Sequence, residues 1–411
     1  MADVIPFKAL RPTRDKVHLV ATRPYYTYKK NVLNAKLEDN PFTFLHIINP
    51  EFKHPEISPD SSQQRFELVE RSYHEFIEEG ILMRDQARHF YLYRQLKNDH
   101  EYIGIIGGAS IREYNEEKIK KHEATITSRE VLFTEYLDIV GYNAEPVLLT
   151  YHDNGTNLEH IIQQKLMERP EYEFTTTDRI THELWLFSDL EGIEITHEFS
   201  KVNEMYIADG HHRSASSARL KDLRLDNEKE FKNEDYFLAY FMNEQRINIL
   251  EFNRLVKSIK NMSEETFLIS LETAFDVCKL QHHEKPEHPY EITMCLKGNW
   301  FKLMLKKHLI VSDHPVKSLI PEALTEHVLT PILGIKDLKT DDNIAFVSGD
   351  TPLKKIEKLI LKGNFDVGFI LYPLTIDQVK SVADNDMIMP PKSTWIEPKL
   401  RSGLTIYKIE E

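Results

Sequence analysis

The segment 205–213 carries the residue types best suited to holding an anion. An apolar run with strand character ends at Asp209-Gly210, and two histidines and Arg213 follow. The small residues that begin at Ser214 are typical of the first turns of a helix. The start of a helix presents backbone N–H groups and the positive end of the helix dipole, and this arrangement commonly binds phosphate. The pattern therefore predicts a phosphate-binding loop between a strand and a helix.

Each polar group of this loop has an expected role. The guanidinium of Arg213 offers a planar fork for phosphate oxygens, and a histidine could act as acid, base or hydrogen-bond donor near neutral pH. Two alternatives remain open: a metal ion held by the aspartate and both histidines, or a helix cap with surface histidines. The residues expected to bind phosphate or nucleotide are Asp209, Gly210, His211, Arg213 and Ser214, and His211 and His212 are also catalytic candidates.

A second polar cluster lies at residues 120–125. Glu123 could serve as a base or a magnesium ligand, and Lys121 or His122 could contact an anion. Because His122 and Glu123 are adjacent, they do not form the spaced pair of a zinc protease helix. The alternative is a solvated surface segment.

A third cluster, residues 389–403, combines prolines, cations and hydroxyls. Three prolines impose a rigid course, and in an acidic chain such a local excess of cations suits a second anion contact. The alternative is a surface arm that packs Trp395 on the other domain. The residues expected to contact substrate here are Lys392, Ser393, Thr394 and Lys399.

Two residues near the N-terminus complete the candidate set. The run 44–48 is interpreted as a buried strand that ends in Pro-Glu, which could place the carboxylate of Glu51 at a cleft as a catalytic base. Arg11, which precedes Pro12, is a further candidate for contact with substrate.

Composition limits the function classes. The chain has 411 residues, and its 52 basic and 66 acidic residues give a net charge of −14, which argues against a nucleic-acid partner. The only cysteines, Cys278 and Cys295, are not clustered, so a reducing cytoplasm is expected. Because neither a signal peptide nor a long apolar stretch is evident, no membrane association is expected. The oligomeric state is not indicated.

The order of apolar runs predicts a mixed α/β (α+β) fold with an N-terminal and central region, 1–250, and a C-terminal α/β subdomain, 251–411. The first region would contain the phosphate loop and its helix (209–220), and the second would return the 389–403 loop to the cleft. Within residues 1–60, the runs 17–21 and 44–48 are predicted as strands. The clearest helices are predicted at 62–80, 128–140, 158–167, 263–275, 353–362 and 376–384, and the clearest strands at 89–95, 101–109, 147–151, 183–187, 236–242, 291–296, 300–305, 343–347 and 367–372.

Several of these segments together resemble the DUF1015 family, whose name denotes an unknown function. The segments that carry this resemblance are 6–12, 41–51, 104–125, 206–213 and 389–403. More distantly, the Asp-Gly-His-His-Arg loop resembles the phosphate motif of the ParB/sulfiredoxin superfamily, which includes archaeal free-serine kinases with an Asp-Gly-His-x-Arg loop. Asp209, Gly210, His211 and Arg213 match that form, and His212 varies. The resemblance implies a ParB/sulfiredoxin-like core with additional subdomains and a carboxylate base, for which Glu51 is the candidate position.

The resemblance and the loop together favour a small-molecule phosphotransferase or phosphatase. Its substrate would be serine, phosphoserine or a similar hydroxylated metabolite, with Mg²⁺ and ATP or ADP as the expected cofactors. The chain lacks a Walker A motif, so a nucleotide would use the same loop. Two alternatives stay open: a ParB-like nucleotide-binding regulatory or scaffold protein, and a metal-dependent hydrolase centred on His122, His211 and His212.

Overall fold

A computed structural model describes residues 2–57, 62–226, 232–260 and 262–411. The described strands, in chain order, are β1 Val4–Ile5, β2 Leu10–Pro12, β3 Leu82–Arg84, β4 Tyr91–Lys97, β5 His100–Ser110, β6 Ile119–Lys120, β7 Tyr142–Asn143, β8 Val147–Tyr151, β9 Tyr172–Thr175, β10 Ile180–Leu186, β11 Met205–Asp209, β12 Tyr236–Asn243, β13 Asn248–Val256, β14 Phe275–Lys279, β15 Glu291–Leu296, β16 Asn299–Leu305, β17 Ile344–Ser348, β18 Val367–Leu371, β19 Thr394–Glu397 and β20 Tyr407–Lys408.

Helices follow the strands in both halves of the chain, so the fold is α+β. The described α-helices are α1 Val17–Val20, α2 Lys30–Asp39, α3 Leu45–Ile48, α4 Ser62–Glu78, α5 Ile111–Asn115, α6 Thr127–Val140, α7 Leu158–Leu166, α8 Asp189–Phe199, α9 His211–Asp226, α10 Glu264–Leu271, α11 Ile320–Leu324, α12 Leu353–Leu361 and α13 Ile376–Asp384.

The chain divides into two compact units. The first unit comprises Met1–Lys121, Thr125–Ile247 and Pro398–Glu411, and the second comprises His122–Ala124 and Asn248–Glu397. The last residues of the chain therefore belong to the first unit.

The first unit contains a nine-stranded sheet in the order β6-β11-β8-β12-β5-β4-β10-β9, with β1 added to β5. Its central strands are rich in apolar residues, as expected for strands covered on both faces, and all five residues of β8 are buried. A hydrophobic core joins these strands to helices α5, α7 and α8, with Leu149, Ile162 and Phe199 among its members. A second core of the same unit surrounds Phe44 and Tyr73, which pack edge to face.

The second unit contains a seven-stranded sheet in the order β14-β16-β15-β18-β13-β17, with β19 paired to β13. Alternate residues of β15 and β18 face a core with α10 and α11, where Met294 and Phe369 are fully buried. The other face of the sheet packs Cys295 and Trp300 against Ile356 and Ile360 of α12.

Most predicted elements are confirmed, but the two strands predicted within residues 1–60 are wrong. Residues 17–20 form α1 and residues 45–48 form α3. A short apolar run without alternation can be a buried strand or one turn of buried helix, and periodicity does not distinguish them. The correction matters for Glu51, which follows a helix rather than a strand.

Candidate functional site

The loop that carries the sequence motif, residues 209–213, joins β11 to α9, as predicted. We call it the motif loop. The strand residues Met205 to Ala208 are buried, Gly210 has φ +106°, and α9 begins at His211. The carbonyl oxygen of Gly210 accepts hydrogen bonds from the backbone N–H groups of Arg213 (2.9 Å) and Ser214 (3.2 Å). The loop therefore turns through a conformation that glycine adopts readily and enters the helix directly.

Gly210 also leaves room for the side chain of Arg213. A Cβ atom at position 210 would lie 2.8 Å from Nη2 and 2.9 Å from Nε of Arg213. The guanidinium therefore lies against the backbone of the turn, at the N-terminal end of α9. A larger residue at this position would force the guanidinium to move.

Arg213 belongs to a cluster of charged and polar side chains at this turn. Its Nη1 lies 2.7 Å from Oε2 of Glu145, and its Nη2 lies 3.4 Å from Oδ2 of Asp209. The ammonium of Lys399 lies 3.5 Å from Oδ1 of Asp209, and the hydroxyl of Ser402 donates to Oε1 of Glu145 at 2.6 Å. We call these residues the charge cluster: Glu145, Asp209, Arg213, Lys399 and Ser402.

The charge cluster combines two cations with two carboxylates, so its formal charges cancel. Asp209 lies between both cations, at longer distances than the Arg213–Glu145 pair, and 36% of its side chain is exposed. The looser and more exposed contacts of Asp209 are easier to replace than those of Glu145. The cluster thus holds two cations together beside a helix N-terminus.

Distant parts of the chain position these groups. Glu145 precedes β8, which runs antiparallel to β11 with Leu148 opposite Asp209. The start of β8 therefore lies beside the end of β11.

The segment 398–411 is fixed next to the cluster by hydrogen bonds. Backbone groups of Ser402 and Thr22 exchange two hydrogen bonds, at 2.8 and 3.1 Å. The guanidinium of Arg401 binds both carboxylate oxygens of Asp178 at 2.9 Å and donates from Nε to Nε2 of His182 at 3.2 Å. Burial beside Arg401 lowers the pKa of His182 to about 3.

The small residues after the motif allow α9 to pack closely on α6. The hydroxyl of Ser216 donates to the carbonyl of His212 at 2.7 Å, and the hydroxyl of Thr134 on α6 reaches the carbonyl of Ser216 at 3.4 Å. The fully buried hydroxyl of Ser214 donates to the carbonyl of His211 at 3.0 Å. This contact favours a structural role for the Ser214 side chain.

The catalytic candidates from the sequence are divided between the motif loop and other parts of the chain. Glu51, in the 3-10 helix Pro50–Phe52, pairs with Arg65 of α4. Glu123 is exposed and lies in the second unit, at a bend in the segment before α6. His211 is 5% exposed at the first position of α9, and His212 follows it. Of these candidates, only the two histidines are in the motif loop.

Arg11 is buried in a network of its own. Its Nε lies 2.8 Å from Oδ1 of Asp85, and its Nη1 binds the hydroxyl of Tyr172 at 2.5 Å and Glu171 at 3.2 Å. Burial alone would lower the pKa of Arg11, but the contacts with Tyr172 and Asp85 together raise it above its ordinary value. They favour a structural role for Arg11.

The remaining substrate-binding candidates belong to the second unit. The backbone carbonyl of buried His122 accepts from the N–H of Met389 at 2.9 Å. Lys392 has φ +59° and stacks its ammonium over the ring of Phe252 at 5.4 Å. The residues that follow it also have local partners: the hydroxyl of Ser393 donates to the carbonyl of Pro390 at 2.7 Å, and Thr394 is opposite Glu251 in the β13–β19 pair.

Trp395, which the sequence could equally place on the other domain, packs within its own unit. Its ring lies 5.3 Å from the ring of Phe252, edge to face.

Neither a metal cluster nor a membrane span is found in the described part of the chain. Across residues 2–57, 62–226, 232–260 and 262–411, no group of three or more His, Cys, Asp or Glu side chains is arranged to hold a metal ion. In the same ranges, no helix combines the length and the apolarity needed to cross a bilayer.

Sequence reasoning missed Glu145, which pairs with Arg213 and accepts a hydrogen bond from Ser402. One signal was available for Glu145, because it stands just before a strongly apolar strand, where an antiparallel neighbour would bring it to the end of β11. Ser402 lies in the third polar cluster, residues 389–403, but was not among the residues expected to contact substrate. Its position depends on where the C-terminal segment folds back.

Several solved structures share a distant likeness in fold. They include a free serine kinase, solved in complex with AMP and, as a mutant, with ADP. The AMP complex is 13% identical, covers 74% of this chain and 91% of its own, and has a TM-score of 0.36. SbnI with a C-terminal truncation, from Staphylococcus aureus, is 13% identical over 74% and 87% of the two chains, with a TM-score of 0.38. A conserved hypothetical protein from Pyrococcus furiosus is 13% identical over 76% and 97%, with a TM-score of 0.36.

No curated protein sequence matches the chain significantly. The sequence profile described as protein of unknown function DUF1015 matches residues 4–325, which is more than half of the chain. The chain therefore belongs to the DUF1015 family.

Proposed function

We propose that the charge cluster binds the phosphate group of a small phosphorylated metabolite or nucleotide, and that the protein is a phosphotransferase or phosphatase. The observation that carries the proposal is the convergence of Arg213 and Lys399 on Asp209 at the N-terminal end of α9. Phosphate oxygens would replace the carboxylate of Asp209 between the two cations. The helix dipole favours the same exchange.

Glu145 has a separate role in this proposal. It holds Nη1 of Arg213 at 2.7 Å and accepts the hydroxyl of Ser402 at 2.6 Å. It therefore orients the guanidinium while Nη2 faces Asp209 and the incoming phosphate. Phosphoryl transfer depends mainly on such positioning and on compensating the charge of the phosphate oxygens.

The proposed substrate is serine or phosphoserine, or a similar hydroxylated metabolite, as the family resemblance implies. His211 or His212, in the motif loop, would exchange the proton of the hydroxyl, with Glu51 and Glu123 as the other carboxylate candidates. ATP or ADP is proposed as the phosphate donor or acceptor. Lys392, Ser393, Thr394 and His122 remain proposed substrate contacts, whereas the contacts of Arg11 with Asp85, Glu171 and Tyr172 favour a structural role for that residue.

The donor set of the cluster fits a magnesium ion bound together with phosphates. Mg²⁺ usually takes one or two carboxylates and keeps several waters and phosphate oxygens as its other ligands. Asp209 and Glu145 are the carboxylates that would hold it, and the ion would neutralise phosphate charge there.

Four reaction mixtures test the proposal. The purified protein is incubated with phosphoserine alone, with phosphoserine, ADP and Mg²⁺, with serine, ATP and Mg²⁺, and with nucleotide alone. Inorganic phosphate, serine and phosphoserine, and interconversion of ATP and ADP are then measured. We expect turnover in at least one mixture that contains the amino acid, and its direction identifies a phosphatase or a transferase.

A matched pair of variants assigns the turnover to the cluster. Arg213→Ala is expected to lose activity, whereas Arg219→Ala, which removes an exposed arginine of the same helix, is expected to keep it. Nucleotide binding without turnover in any mixture would favour the regulatory alternative. Equal turnover in both variants would reject the charge cluster as the site.

A further inference from the structure

The sheet of the second unit has buried polar side chains on one face. Arg254 of β13 and Met294 of β15 are both opposite Phe369 of β18, so these three side chains share a face. Their neighbours Asn253 and Thr293 therefore share the other face, because side chains alternate along a strand. Both Asn253 and Thr293 are fully buried.

An amide and a hydroxyl on this face have polar atoms without a hydrogen-bond partner among the described residues. Oδ1 of Asn253 accepts the N–H of Leu371 at 3.1 Å, which fixes the orientation of the amide. Nδ2 of Asn253 and Oγ1 of Thr293 are buried and unsatisfied. Buried polar groups in proteins are nearly always paired, so these two atoms indicate a polar group that binds here.

Charged side chains of both signs lie on the same face as Asn253 and Thr293. Glu251 and Glu291 stand two residues before Asn253 and Thr293, and both are buried. The ammonium of Lys285 donates to Oε1 of Glu251 and to the carbonyl of Gly349, each at 2.9 Å.

The carboxylate of Glu291 also pairs with a lysine, because the ammonium of Lys302 lies 3.2 Å from its Oε1. The space beside Glu251 depends on a glycine. A Cβ at Gly349 would lie 2.4 Å from the carboxyl carbon of Glu251.

We propose that this face is a binding site for a small α-amino acid. The carboxylate of the ligand would accept from Nδ2 of Asn253, the hydroxyl of Thr293 and the ammonium of Lys285, whose side chain is 52% exposed. The ammonium of the ligand would donate to Glu251 and Glu291. An anion alone would face two buried carboxylates, and a cation alone would leave the amide donor unsatisfied, so the zwitterion fits best.

This site shares no residue with the charge cluster and does not depend on the proposed function. The test therefore uses the full-length Arg213→Ala variant, which is expected to lose binding at the charge cluster. Calorimetry and thermal unfolding are measured with each common L-amino acid, and with acetate and methylamine as single-group controls. We expect at least one amino acid to bind with one site per chain, at least tenfold more tightly than acetate or methylamine.

Two further substitutions in that background locate the site. Thr293→Val removes the hydroxyl at nearly constant volume, and Asn253→Asp keeps the acceptor for Leu371 while replacing the amide donor by a carboxylate oxygen. Each is expected to weaken amino-acid binding at least tenfold. Thr405→Val, which removes another buried threonine hydroxyl without a hydrogen-bond partner, is the control and is expected to bind like its parent.

Three outcomes would overturn the proposal. In the first, no amino acid binds to the Arg213→Ala protein. In the second, binding is unchanged by Thr293→Val and Asn253→Asp. In the third, a crystal soaked with the amino acids shows only water beside Asn253 and Thr293.

Discussion

The ammonium of Lys399 lies 3.5 Å from Oδ1 of Asp209, and this contact joins the C-terminal segment of the chain to the loop that begins α9. The same aspartate faces Nη2 of Arg213 at 3.4 Å. One carboxylate thus occupies the position between two cations that the proposed phosphate would take. The consequences can be tested at each residue of the turn.

Asp209→Asn should strengthen the binding of inorganic phosphate in the absence of Mg²⁺. The amide keeps the shape of the side chain but removes the negative charge that competes with phosphate for Arg213 and Lys399. We expect the dissociation constant to fall about tenfold, equivalent to about 1.4 kcal/mol, as measured by calorimetry in EDTA. Weaker phosphate binding under these conditions would contradict the exchange of Asp209 for phosphate.

Gly210→Ala should damage the site without unfolding the unit. The new Cβ would lie 2.8 Å from Nη2 of Arg213 and displace the guanidinium, and the positive φ adds a cost of about 1 kcal/mol. Phosphate affinity is expected to fall at least about tenfold. Gly155→Ala is the control, because φ is also positive there (+81°) but no atom lies within 4 Å of the added Cβ. Equal phosphate binding by both variants would show that the position of the guanidinium is unimportant.

His182 should make the protein less stable in mild acid. Because Arg401 donates to Nε2, the histidine is neutral and its Nδ1 proton points to the hydroxyl of Tyr93 at 2.7 Å. Its pKa is lowered to about 3 in the folded chain but is about 6.5 when unfolded. Between these values only the unfolded chain binds the proton. Stability is therefore retained above pH 6.5 and lost as the pH falls toward 3, by about 1.4 kcal/mol per pH unit.

The pH effect is measured as the difference between wild type and His182→Gln. Urea midpoints are determined from pH 7.5 to 5, and the glutamine variant, which cannot titrate, should lose less stability over that range. Parallel pH profiles for the two proteins would mean that folding does not lower the pKa of His182.

Arg11→Ala should lower the free energy of unfolding and leave the affinity for ligand unchanged. Removing the guanidinium leaves the buried carboxylate of Asp85 without its cation, and such a change typically costs about 3–5 kcal/mol. Arg71→Ala, which breaks the exposed pair with Glu75, should change the unfolding free energy by less than about 1 kcal/mol. A folded and stable Arg11→Ala protein with weakened substrate binding would instead support the substrate contact predicted from the sequence.

Local patterns in the sequence were sufficient for the motif loop. The apolar strand, the glycine and the small residues after Arg213 predicted β11, the turn and α9 in the observed order. Alternation and helical spacing likewise predicted the long elements, such as α4 and α12. The N-terminal run at 44–48 was mistaken for a strand because a buried helical turn has the same composition.

The charge cluster depends on contacts that local patterns do not encode. Glu145 reaches Arg213 through the antiparallel pairing of β8 with β11. Ser402 and Lys399 reach Glu145 and Asp209 because the C-terminal segment returns to the first unit, where Arg401 is held by Asp178. Such contacts follow from the order of strands and from tertiary packing, so the spacing of residues along the chain could not predict them.

The most direct test of the central claim is the binding of phosphate and phosphoserine to Arg213→Ala and Arg219→Ala, measured by calorimetry alongside wild type. If Arg213 and Lys399 hold phosphate at the start of α9, Arg213→Ala should bind at least about tenfold more weakly while Arg219→Ala binds like wild type. Equal dissociation constants for all three proteins, with the Arg213→Ala fold intact, would contradict the claim that this turn binds phosphate.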